Sequence, residues 1–228
     1  MISALSTLEQ YVRRKGLRGA VNGIVRRFVY RHEQLLWMER DLVTPAPSQS
    51  TKPAPALHME RITVHNAPAF ARHFGDRVQT MRELAAEGHV GLMWLDEDGD
   101  ACAFVWGSTR DYHDRHHFGC WFPVGPGEFF QFGGESIRRY WGTPISTEAQ
   151  LCLWQVMRAQ GCVKVVDVCA LHNVPALRLH LRMGYREQGR IQHVYHLFGY
   201  KFYRQSRYHG SRLDGLRKAV ATPPAKAA

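Results

Sequence analysis

The sequence predicts a mixed α/β domain, in which short strands alternate with amphipathic helices around a central sheet. Three observations carry that expectation. Val163–Ala170, VKVVDVCA, is short and rich in β-branched residues, as a buried strand is. It follows Ile145–Gln160, which places Ile145, Ala149, Cys152, Leu153 and Val156 on one helical face and stops at Gly161. Asp98-Gly99 lies between two apolar runs, the pattern of a hairpin turn.

Taken in order, the elements read as follows. Leu57–Val64 is a strand, and Pro68–Glu87 a helix with Phe70, Phe74, Val78, Met81, Leu84 and Ala85 on its buried face. His89–Leu95 and Ala101–Ser108 pair across the Asp98-Gly99 turn. A fourth strand, Glu128–Ile137, follows a His-rich loop and leads into the helix Ile145–Gln160. After the strand Val163–Ala170 come a short helix, Val174–Met183, closed by Gly184, and a final hairpin from Tyr185 to about Tyr203. Ahead of these, Leu17, Val21, Ile24, Val25, Phe28, Leu35 and Leu36 keep helical spacing, while Arg13 to Arg31 holds seven basic residues and no acid. The expected organisation is a basic amphipathic helical extension over 1–43, a Pro-rich linker over 44–56 (TPAPSQSTKPAPA spans Thr44 to Ala56), one compact domain over 57–210 and a basic, unstructured tail over 211–228.

Composition narrows the function. A 228-residue chain with 45% hydrophobic residues supports one good core. A formal charge of +10 selects anionic partners: a coenzyme A, an acyl carrier protein, a nucleic acid or an anionic membrane surface. The odd number of cysteines, several within apolar runs, points to reduced thiols and a cytoplasmic setting. There is no stretch of about 18 apolar residues to span a bilayer.

Chemistry concentrates between the fourth strand and the helix that follows. In Arg139-Tyr140-Trp141-Gly142-Thr143-Pro144-Ile145, a strand feeds a helix through a glycine-containing turn. Such a turn exposes unpaired N–H groups to an anion, and the helix dipole adds about half a positive charge. Arg139-x-x-Gly142-x-Pro144 resembles the acyl-CoA signature of the GNAT superfamily, Arg or Gln, two residues, Gly, one residue, then Gly or Ala, with proline at the last position. One strand later, Asn173, Ala176, Leu179, Gly184 and Tyr185 fall at the offsets of a second GNAT pattern, with His180 where the family usually has tyrosine. The resemblance covers about Leu57 to Tyr203.

The resemblance implies the GNAT fold: a mixed central sheet of about six to seven strands with a splayed, CoA-binding strand pair, flanked by helices. It implies an acyl-CoA-dependent N-acyltransferase, with acetyl-CoA or another acyl-CoA as co-substrate, no metal, and direct attack of a primary amine on the thioester. Arg139, Tyr140, Trp141, Gly142, Thr143 and Ile145 would hold the donor's pyrophosphate, and Asn173 its pantetheine arm. Main-chain donors near Gly133–Ile137 would meet the developing oxyanion. His180 would protonate the departing thiolate or simply pack on its helix, and Glu135 would take the amine's proton, with Asp167 its rival. The acceptor would be a small-molecule or peptide amine. A longer-chain variant would draw on acyl carrier protein or acyl-CoA, and Glu135-Ser136-x-x-Arg139 is reminiscent of such enzymes. The same fold without catalysis would be a basic adaptor.

Other signals weigh less. Asp111-Tyr-His113-Asp114-Arg-His116-His117 matches no closed zinc spacing and reads as a solvated loop. Tyr195, Phe198, Tyr200, Lys201, Phe202 and Tyr203 interleave aromatics with charge as single-strand binders do, but read as a closing hairpin whose aromatic face covers the core, so nucleic acid is disfavoured. The N-terminal basic helix fits a peripheral contact with anionic lipid, or packing on the domain or on a second subunit of a homodimer.

Overall fold

The computed structural model describes residues 30–45 and 56–221. In chain order the elements are β1 (Tyr30–Asp41), β2 (His58–Arg61), α1 (Ala71–Phe74), α2 (Val78–Ala86), β3 (Val90–Leu95), β4 (Ala101–Ser108), β5 (Tyr112–His113) and β6 (Trp121–Phe122). They continue with β7 (Glu128–Ser136), α3 (Ile145–Ala159), β8 (Lys164–Ala170), α4 (Val174–Arg182), β9 (Arg186–Leu197), β10 (Tyr200–Arg207) and α5 (Asp214–Ala221). Eight strands form one sheet in the order β10-β9-β1-β8-β7-β4-β3-β2, and β5 and β6 form a small separate ribbon. The α/β class and its element order hold, with one helix broken: the expected Pro68–Glu87 helix splits at Phe74, whose backbone leaves the helical region.

Two expectations are corrected. The helical extension over 1–43 gives way, over Tyr30–Asp41, to a strand between β9 and β8; residues 1–29 lie outside the described residues, as does most of the 44–56 linker. Leu36 and Met38 enter one core and Leu35 and Trp37 the core on the opposite face. A strand buried on both faces shows a continuous apolar run, LLWM, rather than alternation, and two of its leucines extended the helical spacing of the preceding segment. This strand brings the sheet to eight, above the six to seven expected. The second correction concerns 211–228, where Asp214–Ala221 forms α5, packed on α4. Leu213 is buried ahead of it, and the Glu187 carboxylate accepts the N–H groups of Arg212 and Leu213.

One core lies under α3, α4 and α5, the other under α1, α2 and the β5–β6 ribbon. At the sheet's centre, β7 and β8 run parallel only from Glu128↔Lys164 to Gln131↔Asp167. Beyond that register they part: β7 stays with β4 as far as Ser136, and β8 stays with β1 as far as Ala170. A register shift opposite Val105, with Gly133 at φ 62°, turns the outgoing half of β7. The result is a V-shaped split whose two inner edges lack a strand partner among the described residues.

Leu36→Ala is expected to lower the free energy of unfolding by about 2–5 kcal/mol. Val43→Ala, at a residue 78% exposed two positions past the strand's end, should change it by less than about 0.5 kcal/mol. Urea titration of both variants checks the placement of β1.

Candidate functional site

The vertex of the split is closed by a chain of buried polar side chains. Gln131 and Asp167 are cross-strand partners at the last paired position, and Gln131 Nε2 donates to Asp167 Oδ2 at 3.1 Å. From α3, Trp154 Nε1 donates to Gln131 Oε1 at 3.2 Å, and the Tyr185 hydroxyl donates to the same oxygen at 3.4 Å. From α4, His180 Nε2 lies 2.8 Å from Asp167 Oδ2. Each residue that reaches inward here interrupts an otherwise apolar stretch, FFQF in β7 and VVDVC in β8.

His180 is not presented to the split as a free acid. Its Nδ1 lies 2.7 Å from the Ala176 carbonyl, which can only accept, so Nδ1 carries a proton. Nε2 is committed to Asp167, and the two side chains are 9% and 11% exposed. Burial pulls the imidazole's pKa down, but the Asp167 charge and the two hydrogen bonds outweigh it and hold the pKa above its ordinary value. The geometry makes His180 half of a buried ion pair and leaves no N–H to offer a sulfur. Asp167, the rival base, is occupied by the same pair.

The turn before α3 is built as the sequence expects. A 3-10 turn, Arg138–Tyr140, leads to Trp141 and to Gly142, whose φ of 77° is natural only to glycine. Thr143 closes the turn by donating its hydroxyl and its N–H to the Tyr140 carbonyl. Pro144 caps the helix, and its carbonyl accepts from Thr147 and Glu148. The N–H groups of Gly142, Ile145 and Ser146 find no acceptor among the described residues, as the start of a helix requires. Arg138 and Arg139 flank the turn without a carboxylate partner among the described residues, the Arg139 guanidinium lying 5.5 Å from the Tyr140 ring centre. Glu148, the acid of the first turn, accepts the Trp94 indole N–H at 3.3 Å.

The residues expected to bind therefore divide by depth. Tyr140 and Ile145 are buried and anchor the turn in the core, while Trp141 is exposed and fastened by its indole N–H to the Ser136 carbonyl at 2.9 Å. Asn173 caps α4, its Oδ1 accepting the Ala176 N–H at 3.3 Å. Glu135 sits on the outgoing arm of β7, ion-paired with Arg77. The His-rich loop folds around Asp114, which accepts the N–H groups of His117 and Phe118.

Sequence reasoning missed Gln131, Trp154 and Arg40, and gave Tyr185 no part at the vertex. Arg40, buried on β1, donates to the carbonyls of Met183, Thr44 and Pro45, and its guanidinium lies 4.9 Å from the Trp154 ring centre. A Cβ on Gly184 would meet Arg40 at 2.1 Å, so this glycine answers to close approach as well as to its φ of 83°.

Comparison with known proteins gives this geometry a class. The sequence matches no family model and no curated protein. A solved structure of a Drosophila protein is similar over 82% of this chain and 58% of its own, at 11% identity and a TM-score of 0.52. A tandem GNAT protein from the clavulanic acid biosynthesis pathway is similar over 84% of this chain and 59% of its own, at 12% identity and a TM-score of 0.51. This chain thus spans 58% and 59% of the lengths of these two structures. The chain has the GNAT fold, a mixed sheet parted between two central parallel strands with helices on both faces.

The His180–Asp167 pair sets a pH dependence. Because the folded-state pKa is raised, its contribution to stability is complete below the ordinary value of about 6.5 and is lost as pH rises through the folded value. Asp167→Asn removes the charge and leaves the burial, so the ring should then titrate below about 6.5. An NMR titration of the His180 ring in both proteins checks the direction.

Proposed function

We propose that this protein is an N-acyltransferase that moves an acyl group, acetyl in the simplest case, from acyl-CoA to a primary amine. The observation that supports the reading is the combination of a parted strand pair and a glycine turn that carries free N–H groups and two arginines at the start of a 15-residue helix. A pyrophosphate fits there because its charge is met by fixed main-chain dipoles and by Arg138 and Arg139. The pantetheine arm, extended and carrying amides, can lie along the unpaired edge of β7 as a strand would. Asn173, already spent on capping α4, orders the opposite wall of the split.

In this reading the acceptor nitrogen attacks the thioester carbonyl directly: the N–C bond forms, the C–S bond breaks and coenzyme A leaves as thiolate. N–H groups on the inner edge of β7 between Gly133 and Ser136 would meet the negative charge that develops on the carbonyl oxygen, the Ile137 N–H being donated to the Cys102 carbonyl at 2.9 Å. Glu135, on the same arm of the split and partly exposed, takes the amine's proton once Arg77 shifts away from it. His180 acts through structure, holding α4 against the vertex. Among the described residues no helix is long and apolar enough to cross a membrane.

Acetyl-CoA and longer acyl-CoA thioesters should raise the melting temperature of the protein by mass action, with the ranking among them reporting acyl length. In Gly142→Val the added Cβ meets no atom within 4 Å, so the fold should survive, but the positive φ is strained by about 1–2 kcal/mol. Relief turns N–H groups away from the phosphates, and calorimetry should show affinity for acetyl-CoA reduced about tenfold or more. Unchanged affinity would place the donor elsewhere.

A further inference from the structure

The β9–β10 hairpin carries large apolar residues where a hairpin normally carries polar ones. Its two-residue turn is Phe198-Gly199, with φ values of 48° and 85°, the geometry that favours Asn-Gly. Among the described residues Phe198 is the only residue other than glycine with positive φ, and a bulky side chain there is strained. That strain sets an aromatic ring 68% exposed at the tip, beside Tyr200 at 79% and the exposed Leu197, Phe202 and Tyr203. Tyr30, opposite Leu197 at the start of β1, joins them. The sequence expectation that this aromatic face covers the core is therefore corrected: β10 is the sheet's edge, and its aromatics face outward.

The charge around the tip has one sign. From Gln188 to Leu213 there is no acidic residue, while Arg190, Lys201, Arg204, Arg207 and Arg212 are basic. On neighbouring elements the carboxylates are engaged, Glu33 by Arg31 and His172 and Asp114 by backbone N–H groups of its own loop. The chain that leads into Tyr30 adds six Lys or Arg between Arg13 and Arg27, again with no acid.

Base stacking suits this surface less than lipid does. On the face shared by β1, β9 and β10, His32 stacks on Tyr195 at 4.5 Å and Tyr195 on Phe202 at 5.1 Å, nearly parallel. Those rings are stacked on one another, whereas single-strand binders leave ring faces open for bases. An apolar tip with a basic collar matches instead the interfacial region of a bilayer, where aromatic rings sit among headgroups and each Lys or Arg near an anionic surface strengthens the attraction.

We propose that the tip of the β9–β10 hairpin, together with Tyr30, is a docking surface for an anionic lipid bilayer. The test is co-sedimentation of the full chain with phosphatidylcholine vesicles, pure or containing phosphatidylserine, at low and high salt. The protein should pellet with the anionic vesicles, several-fold less with neutral ones and less at high salt. The double variant Phe198→Asn, Tyr200→Ser restores a favoured Asn-Gly turn, so its melting temperature should not fall, while its partitioning onto anionic vesicles should drop about tenfold or more. Failure of the wild type to pellet with anionic vesicles overturns the proposal. Undiminished binding by the double variant also overturns it and moves the contact to the basic amino-terminal segment. So does a tip used for something else: oligonucleotide binding, or a dimer seen by sedimentation equilibrium, that the double variant abolishes while vesicle binding is absent.

Discussion

The Gln131–Asp167 pair decides where the sheet stops being continuous, and the arrangement of the candidate site follows from it. Two parallel strands that part leave a wedge of unpaired edges, and something must fix the point of parting. Here the last paired residues are both polar, both buried and bonded to each other, and each is also bonded to a helix on the same face, Gln131 to Trp154 of α3 and Asp167 to His180 of α4. A carboxylate buried this way is stable only with its partners in place: hydrogen bonds to a charge contribute about 1.5–3 kcal/mol each. Loss of one member of a buried pair costs about 3–5 kcal/mol. The two helices are therefore fastened to the two strands at the vertex, and the start of α3 is held beside the split it would serve.

The first described strand is part of the same device. β1 lies between β9 and β8, and its Arg40 passes under the vertex to bond the Met183 carbonyl, with its charge over Trp154. Burial lowers the guanidinium's pKa, opposed by Tyr185 and Asp41, and an arginine keeps its charge under such conditions. Gly184 is fixed by this contact, since any side chain there would collide with Arg40. The glycine read in the sequence as a helix stop is thus also the gap through which the amino-terminal strand supports the site.

How much of this was legible follows from what kind of signal each part leaves. Elements with a period of their own could be read: α3 from its apolar face and Gly161, β3 and β4 from the Asp98-Gly99 turn, β8 from its β-branched run. The turn at Gly142 was legible because its demand on the backbone is local. β1 was not, because a strand buried on both faces has no alternation, and its leucines continued a helical spacing from the residues before it. α5 was missed because its docking depends on Glu187, far away in sequence, receiving the Arg212 and Leu213 N–H groups. His180 was found by its position with two parts left open, thiolate acid or packing residue, and only the structure brings Asp167 and the Ala176 carbonyl to its two nitrogens. Gln131 and Asp167 had left a trace, single polar residues in apolar strands, and that trace is the more general guide to a buried polar network.

The central claim, that the turn before α3 cradles the pyrophosphate of an acyl-CoA, is tested most directly by backbone amide NMR during a titration with acetyl-CoA. Saturable shifts are expected, largest at the Gly142, Ile145 and Ser146 N–H groups, with the stretch of β7 beyond Gln131 following. Shifts centred anywhere else, with those three amides unmoved at saturation, would contradict it.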